Sequence, residues 1–156
     1  MSVAPTDAES ARPVIRRAVV ADLAELLRLG ERYCAADQAQ WLPQRARQGF
    51  EPLLRDDTHG VVLAVDIDGT LIGYAVLTWG WSIEAGGRES LLDEMYIDQP
   101  GRGYGSLLIE EVVAVAKAHG AVRVFLETES ANTAARDFWL ARGFELEDSI
   151  WLQRRW

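Results

Sequence analysis

The 156-residue sequence predicts an α/β (α+β) fold: a mixed, mostly antiparallel sheet of six to seven strands flanked by about four helices. Three observations predict it. Apolar runs of strand length and stretches of helical periodicity follow one another in the order β-α-α-β-β-β-α-β-α-β, which suits a sheet covered by helices. Two glycine turns, Asp68-Gly69 and Gly86-Gly87, join strand-like runs closely enough to make hairpins. The stretch LLDEMYIDQPGRGYGSLLIE, Leu91 to Glu110, passes from an apolar strand through a turn with Gly101, Gly103 and Gly105 into an amphipathic helix.

Residues 1–12 are small, polar and proline-bearing, which predicts a flexible N-terminal arm ahead of one domain over 13–156. Val14 to Ala18 reads as a first strand. Leu23, Leu26, Leu27 and Cys34 recur at helical spacing between Ala21 and Ala36, and a second helical segment falls within Pro43 to Arg55. Gly60 to Asp66 (GVVLAVD) is a nearly continuous apolar strand, and Leu71 to Trp81 returns antiparallel to it. After the glycine turn, Leu107, Leu108, Val112, Val115 and Ala116 share one helix side, with Gly120 as the stop and His119 as a last-turn cation. Val122 to Thr128 alternates as a strand. Asn132 to Arg142 reads as a helix that Asn132 caps and Gly143 ends, and Phe144 to Trp156 has room for two short strands.

The formal charge of −8 argues against binding a nucleic-acid backbone and favours a cationic partner. The one cysteine, Cys34, excludes an internal disulfide, fits a reducing cytoplasm, and reads as a helix-packing residue. No run approaches the roughly 18 apolar residues of a membrane helix, and the first dozen residues lack the apolar stretch of a signal peptide. His59, His119 and Cys34 lie far apart, so no metal site is expected. A cytoplasmic protein without a membrane or nucleic-acid partner follows as the expectation.

Strand, glycine turn and helix, in that order, can cradle a phosphate. Glycines let successive backbone N–H groups converge on one anion, and the helix start adds unpaired donors and a positive dipole end. Arg102 can add a bidentate phosphate contact. A turn that only reverses the chain accounts for the spacing equally well. A dinucleotide-binding oxidoreductase is disfavoured, because the spacing is GxGxG rather than GxGxxG and hairpins rather than βαβ units precede it.

From Val14 onward the chain resembles the GNAT superfamily of acyl-CoA N-acyltransferases, on two motifs. One is the glycine loop after the fourth strand. The other is Asn132, Ala135, Trp139, Gly143 and Phe144, which match the family's asparagine, alanine, tyrosine and glycine-phenylalanine spacing. The resemblance implies a sheet splayed between the fourth and fifth strands, and acetyl-CoA as co-substrate. It implies cofactor contacts from Met95, Tyr96 and Ile97 backbone, from Gly101, Arg102, Gly103, Tyr104, Gly105 and Ser106, and from Asn132, which serves equally as a helix cap. Two departures stand out. If Gly103 is the first paired glycine, Pro100 takes the place of the usual opening Arg or Gln; if Arg102 opens the loop, Leu107 falls where a small residue is usual. Trp139 replaces the tyrosine that often protonates the leaving thiolate, a step left to water, Tyr96 or Tyr104.

Acyl transfer to an amine needs a held carbonyl and a neutral nucleophile. An alkyl ammonium of pKa about 10.4 is neutral in roughly one of a few thousand molecules at pH 7, so a base must take its proton. Glu94, in the strand before the loop, ranks first; Glu84 and then Glu89 follow, each with a solvated surface as its plain alternative. Strand alternation sends Asp93 and Glu94 to opposite faces. Trp79 and Trp81 share one face of the third strand and can recognise an ammonium by cation–π attraction, with sheet packing as their other role. Tyr33, Trp41 and Phe50 can form the opposite wall.

The expected activity is transfer of acetyl from acetyl-CoA to a primary amine of a small molecule or peptide. A non-catalytic acyl-CoA-binding regulatory domain is the alternative that the two departures leave open. An apolar edge at Ile150, Trp151, Leu152 and Trp156 would suit a homodimer, or packing on the chain's own sheet.

Overall fold

The computed structural model describes residues 12–156, so the arm expected over residues 1–12 lies, Arg12 apart, outside the described residues. The elements are β1 (Val14–Arg17), a 3₁₀ turn (Val20–Asp22), α1 (Leu23–Ala36), α2 (Pro43–Arg55), β2 (Gly60–Ile67), β3 (Thr70–Ser82), β4 (Gly87–Ile97), α3 (Tyr104–Ala118), β5 (Arg123–Phe125) and α4 (Thr133–Leu140). They fall into two compact units, one ending at Leu126 and one spanning Glu127–Trp156.

In the first unit the strands run β1-β2-β3-β4-β5 in space; every pair is antiparallel except β4 with β5. The β2–β3 hairpin closes as expected at Asp68-Gly69, where both residues take positive φ (51° and 81°), the mirror-image turn whose twist suits paired strands. The Asp66 carboxylate locks the turn by accepting the Gly69 N–H at 2.7 Å. Pro43 opens α2 at the first helical position, where its missing N–H costs nothing.

Strand alternation gives the sheet two apolar faces. Val62, Ala64, Leu71, Tyr74 and Val76 pack with Leu26 and Leu29 of α1 and Phe50, Leu53 and Leu54 of α2. By the same alternation Val61, Leu63, Val65, Ala75 and Leu77 face the other way, toward α3, whose Leu108, Ile109, Val112 and Ala116 are buried. Leucine-sized side chains buried on both faces explain why GVVLAVD shows no polar alternation.

One irregularity decides the site. In the β3–β4 ladder Leu77 pairs with Leu92 and the next residue, Val76, pairs with Glu94, so Asp93 is an extra residue on β4. A bulge of this kind reverses the facing of everything beyond it. Leu92 therefore lies on the α3 side with Leu77, Asp93 is exposed, and Glu94 and Tyr96 share the α1 side with Val76 and Tyr74.

The described residues hold five strands rather than six or seven, and they differ from the expectation toward the C-terminus. The strand expected over Val122 to Thr128 shrinks to Arg123–Phe125, paired with Glu89, Ser90 and Leu91 alone. The two strands expected over Phe144 to Trp156 do not form. A strand needs a neighbour's ladder to be stable, and the unit that contains this segment offers only α4. Ile150, Trp151, Leu152 and Trp156 are exposed there in irregular chain, not on a strand edge. Among the described residues no helix is long and apolar enough to cross a membrane.

Candidate active site

Glu94 lies half-buried on the α1 side of β4, beside a group of aromatic rings. Its carboxylate accepts a hydrogen bond from the Tyr74 hydroxyl, which lies directly across the ladder from Tyr96. Tyr74 is fully buried, with Phe50 against its ring at 5.6 Å between centroids and Tyr96 at 6.4 Å. Tyr33 of α1 meets Tyr96 edge-on at 6.1 Å. Trp41 packs over Gly30, where a Cβ would come within 3.1 Å of the indole and 3.6 Å of the Tyr74 hydroxyl. The absence of a side chain at Gly30 thus brings the Trp41 ring toward the Tyr74–Glu94 pair.

Burial pushes the Glu94 carboxyl above the ordinary glutamate range; the Tyr74 hydrogen bond opposes this and the neighbouring Asp93 charge adds to it. Cys34, on α1, is pushed up by burial and by the Glu94 charge, which keeps it a thiol and unsuited to nucleophilic attack. α1 is pinned beside β4 by ion pairs. Asp98, just past the strand, pairs with Arg32 and, at 3.9 Å, with Arg28, while Tyr96 donates its hydroxyl to Asp98 at 3.2 Å. Arg28 also donates to the Leu71 carbonyl at 3.0 Å.

Among the described residues, the opposite edge of β4 is open past Leu91. β5 covers only Glu89 to Leu91, so the rest of the strand lacks a β5 partner. Asp98 N–H bonds the Ile72 carbonyl across to β3 at 2.8 Å. Counting back by twos, Tyr96 turns its backbone groups toward β3, and Met95 and Ile97 turn theirs toward the open edge. Those groups can hold an amide-bearing arm and point an N–H at a carbonyl oxygen.

That edge runs directly into the glycine loop. Gly101 and Gly103 both take left-handed φ (84° and 80°), and Gly103 is the N-cap of α3. Helix geometry leaves the N–H groups of Gly103, Tyr104 and Gly105 without intrahelical acceptors. Among the described residues, chain neighbours apart, nothing lies within 4 Å of a Cβ built on Gly101 or Gly103, so the loop is uncrowded there. The residues therefore fit a diphosphate-bearing cofactor such as coenzyme A. α3 starts at Tyr104 with Gly103 as its N-cap, which suits the register that has Gly103 as first paired glycine and Pro100 at the opening position. Tyr104 buries its ring, leaving its backbone to the loop.

Other sequence candidates lie elsewhere. Glu84 is exposed in the β3–β4 turn, beyond the final Ser82–Gly87 pair; six rungs separate that pair from Val76 and Glu94, on the order of 20 Å. Glu89 is held by Arg123 at 2.8 Å. Trp79 faces away from Tyr74 by strand parity: it stacks on His119 at 4.7 Å and donates its indole N–H to the Asp57 carbonyl at 2.8 Å. Trp81 is 75% exposed. In the second unit, Asn132 caps α4 by accepting the Ala135 N–H at 3.1 Å, and Trp139 packs edge-on against Phe138 and Phe144. Tyr74 and Asp98 escaped the sequence reading. The single visible sign was a tyrosine in a strand segment, GYAVL, otherwise built of small aliphatic residues.

Residues 21–144 match the family model described as "Acetyltransferase (GNAT) family". The chain belongs to that family. A relative in Pseudomonas aeruginosa, the L-methionine sulfoximine/L-methionine sulfone acetyltransferase, is 30% identical over 118 residues, 74% of this chain and 62% of that protein. The match thus spans less than two thirds of this GNAT relative. Among solved structures, an aminoglycoside N-acetyltransferase in complex with CoA superposes with TM-score 0.81 at 18% identity, covering 95% of this chain and 97% of that one. A ribosomal-protein-alanine N-acetyltransferase from Brucella melitensis biovar Abortus 2308 superposes with TM-score 0.73 at 20% identity, covering 92% and 99%. These likenesses give the GNAT fold, that of a family of acetyltransferases that use acetyl-CoA. Among the described residues no cluster of His, Cys, Asp or Glu could hold a metal ion.

Proposed function

We propose that this chain is an N-acetyltransferase that moves acetyl from acetyl-CoA to the primary amine of a small molecule or peptide, with Glu94 taking the amine's proton. One observation carries the reading: the same short stretch, Glu94 to Ile97, presents a half-buried carboxylate on one side and, among the described residues, a backbone edge without a β5 partner on the other. A base and an oxyanion donor are thereby held a few ångströms apart by a single rigid strand.

Acetyl-CoA, when bound, supplies an acyl group on a thioester whose sulfur can leave as a thiolate. The loop N–H groups of Gly103 to Gly105, with Arg102, would hold its diphosphate. Glu94 accepts a proton from the acceptor ammonium, a transfer that its burial-raised pKa favours. The neutral amine then forms the C–N bond while an open-edge β4 N–H, from Met95 or Ile97, receives the developing oxyanion charge. Trp139 has no acidic proton to give the thiolate, and water supplies it. Cys34 stays out of the reaction, consistent with direct attack and no covalent enzyme intermediate.

A small-molecule acceptor is supported by the relatives, one named for methionine sulfoximine and methionine sulfone and another for aminoglycosides. The aromatic walls Tyr33, Tyr96 and Trp41 suit an ammonium by cation–π attraction. The test is thiol release from acetyl-CoA across a panel of such amines, wild type against Glu94→Gln. Amine-dependent release that the variant abolishes, with acetyl-CoA binding retained, supports the reading. Binding without release from any amine leaves a regulatory acyl-CoA-binding domain in its place.

A further inference from the structure

We infer that Tyr74 is a positioning residue for Glu94: its buried hydroxyl holds one carboxylate oxygen by hydrogen bond and leaves the other to receive the acceptor's proton. The inference rests on reading Glu94 as the base. Tyr74 has no access to solvent, and a core tyrosine hydroxyl must find a partner within the protein. That partner is Glu94 Oε1. The donor itself cannot wander, because Phe50 of α2 and Tyr96 of β4 wedge its ring from two directions and Gly30 of α1 lies over the hydroxyl.

The bond has a chemical consequence as well as a geometric one. A carboxylate moved from water to a place beside aromatic rings prefers to be protonated, and a protonated glutamate cannot accept a proton from the amine. The Tyr74 hydrogen bond favours the ionised form and counters that preference. The groups that the structure sets against the pair are Asp93 and Tyr96 from β4, Tyr33 and Cys34 from α1, and the apolar Phe50 from α2. Arg28 and Arg32 are both engaged with Asp98, so neither neutralises Glu94 directly. Tyr74 supplies a hydrogen bond that supports the ionised base.

The experiment is kcat/KM for an accepted amine against pH, with wild type, Tyr74→Phe, Glu94→Gln and the double variant, and acetyl-CoA binding measured alongside. In Tyr74→Phe the acid-side limb should move up by about one to two pH units, with rate recovered at alkaline pH and acetyl-CoA affinity unchanged. In the Glu94→Gln background the same change should lower any residual rate by less than about twofold, since nothing remains to position. Because Tyr74→Phe takes a hydrogen bond from a half-buried carboxylate and can fail to fold, 3-fluorotyrosine inserted at position 74 is the second probe. It keeps ring and hydroxyl but donates more strongly, and should move the limb the other way. A loss uniform across pH with the limb unmoved in both variants would reduce Tyr74 to a core filler and overturn the inference alone. Wild-type rate and limb in Glu94→Gln would overturn the base reading, and the inference with it.

Discussion

Placing a glutamate at Gly103 tests the anion cradle, and the structure lets its two costs be separated. Gly103 holds φ 80° and ψ −2°, where an L-residue is strained by about 1–2 kcal/mol. Among the described residues, chain neighbours apart, nothing lies within 4 Å of the added Cβ, so no clash is added to that strain. For a domain of this size the strain lowers Tm by about 2–8 °C. Binding should suffer more. A carboxylate about 4 Å from a phosphate charge costs about 1 kcal/mol at the dielectric of water and about 4 at an effective value near 20, a fivefold to thousandfold rise in Kd. The control is Gly86→Glu in the β3–β4 turn, which has nearly the same φ (75°) and equally open space but no helix start behind it. Calorimetric titration of both variants with acetyl-CoA and CoA, after confirming comparable Tm losses, is the assay. Equal affinity in the two variants would refute the cradle and leave the loop a chain reversal.

Further expectations concern stability and specificity. Glu94 has its pKa raised by burial, so it contributes most to stability below the unfolded value of about 4.3, and that contribution is lost as pH rises through the folded value. Glu94→Gln should therefore raise Tm at pH 7 and not at pH 4, while removing amine-dependent thiol release; a lower Tm at pH 7 would contradict the burial argument. Arg16 bridges Asp22 at 2.8 and 2.9 Å and Asp66 at 3.0 Å, which ties β1 to the 3₁₀ turn and β2. Arg16→Ala should cost about 1–2 kcal/mol in urea unfolding at pH 7, allowing for its partial exposure. The Arg16 hydrogen bond depresses the Asp22 pKa, so that stability is present above the unfolded value of about 3.9 and lost as pH falls through the folded one. Most of the penalty should vanish once the pH lies below that folded value. Trp79→Phe breaks the bond to the Asp57 carbonyl and should cost about 1 kcal/mol with no change in amine KM, whereas Tyr33→Ala should raise that KM. The reverse pattern would return substrate recognition to the third strand.

Much was legible in the sequence because it depends on neighbours in the chain. Asp68-Gly69 closes a hairpin because both residues tolerate positive φ, Pro43 opens a helix, and Gly103 caps one; each is a local backbone preference that needs no knowledge of distant residues. The loop and the strand feeding it, the family, and Glu94 as leading base candidate follow from such signals. Trp79 and Trp81 carried two readings because alternation shows that two side chains share a face without saying which face, and it is the stack on His119 that gives Trp79 a packing role. The C-terminal strands misled because a β pattern states a capacity to pair, while pairing needs an available neighbour. The deciding feature could not be read locally at all. An extra residue at Asp93 moves Glu94 from the α3 side to the α1 side, and what makes Asp93 the extra residue is the register against β3. Sequence alone determined that a carboxylate precedes the glycine loop. Tertiary pairing decided that it meets Tyr74, because register is a property of two strands and cannot be contained in one.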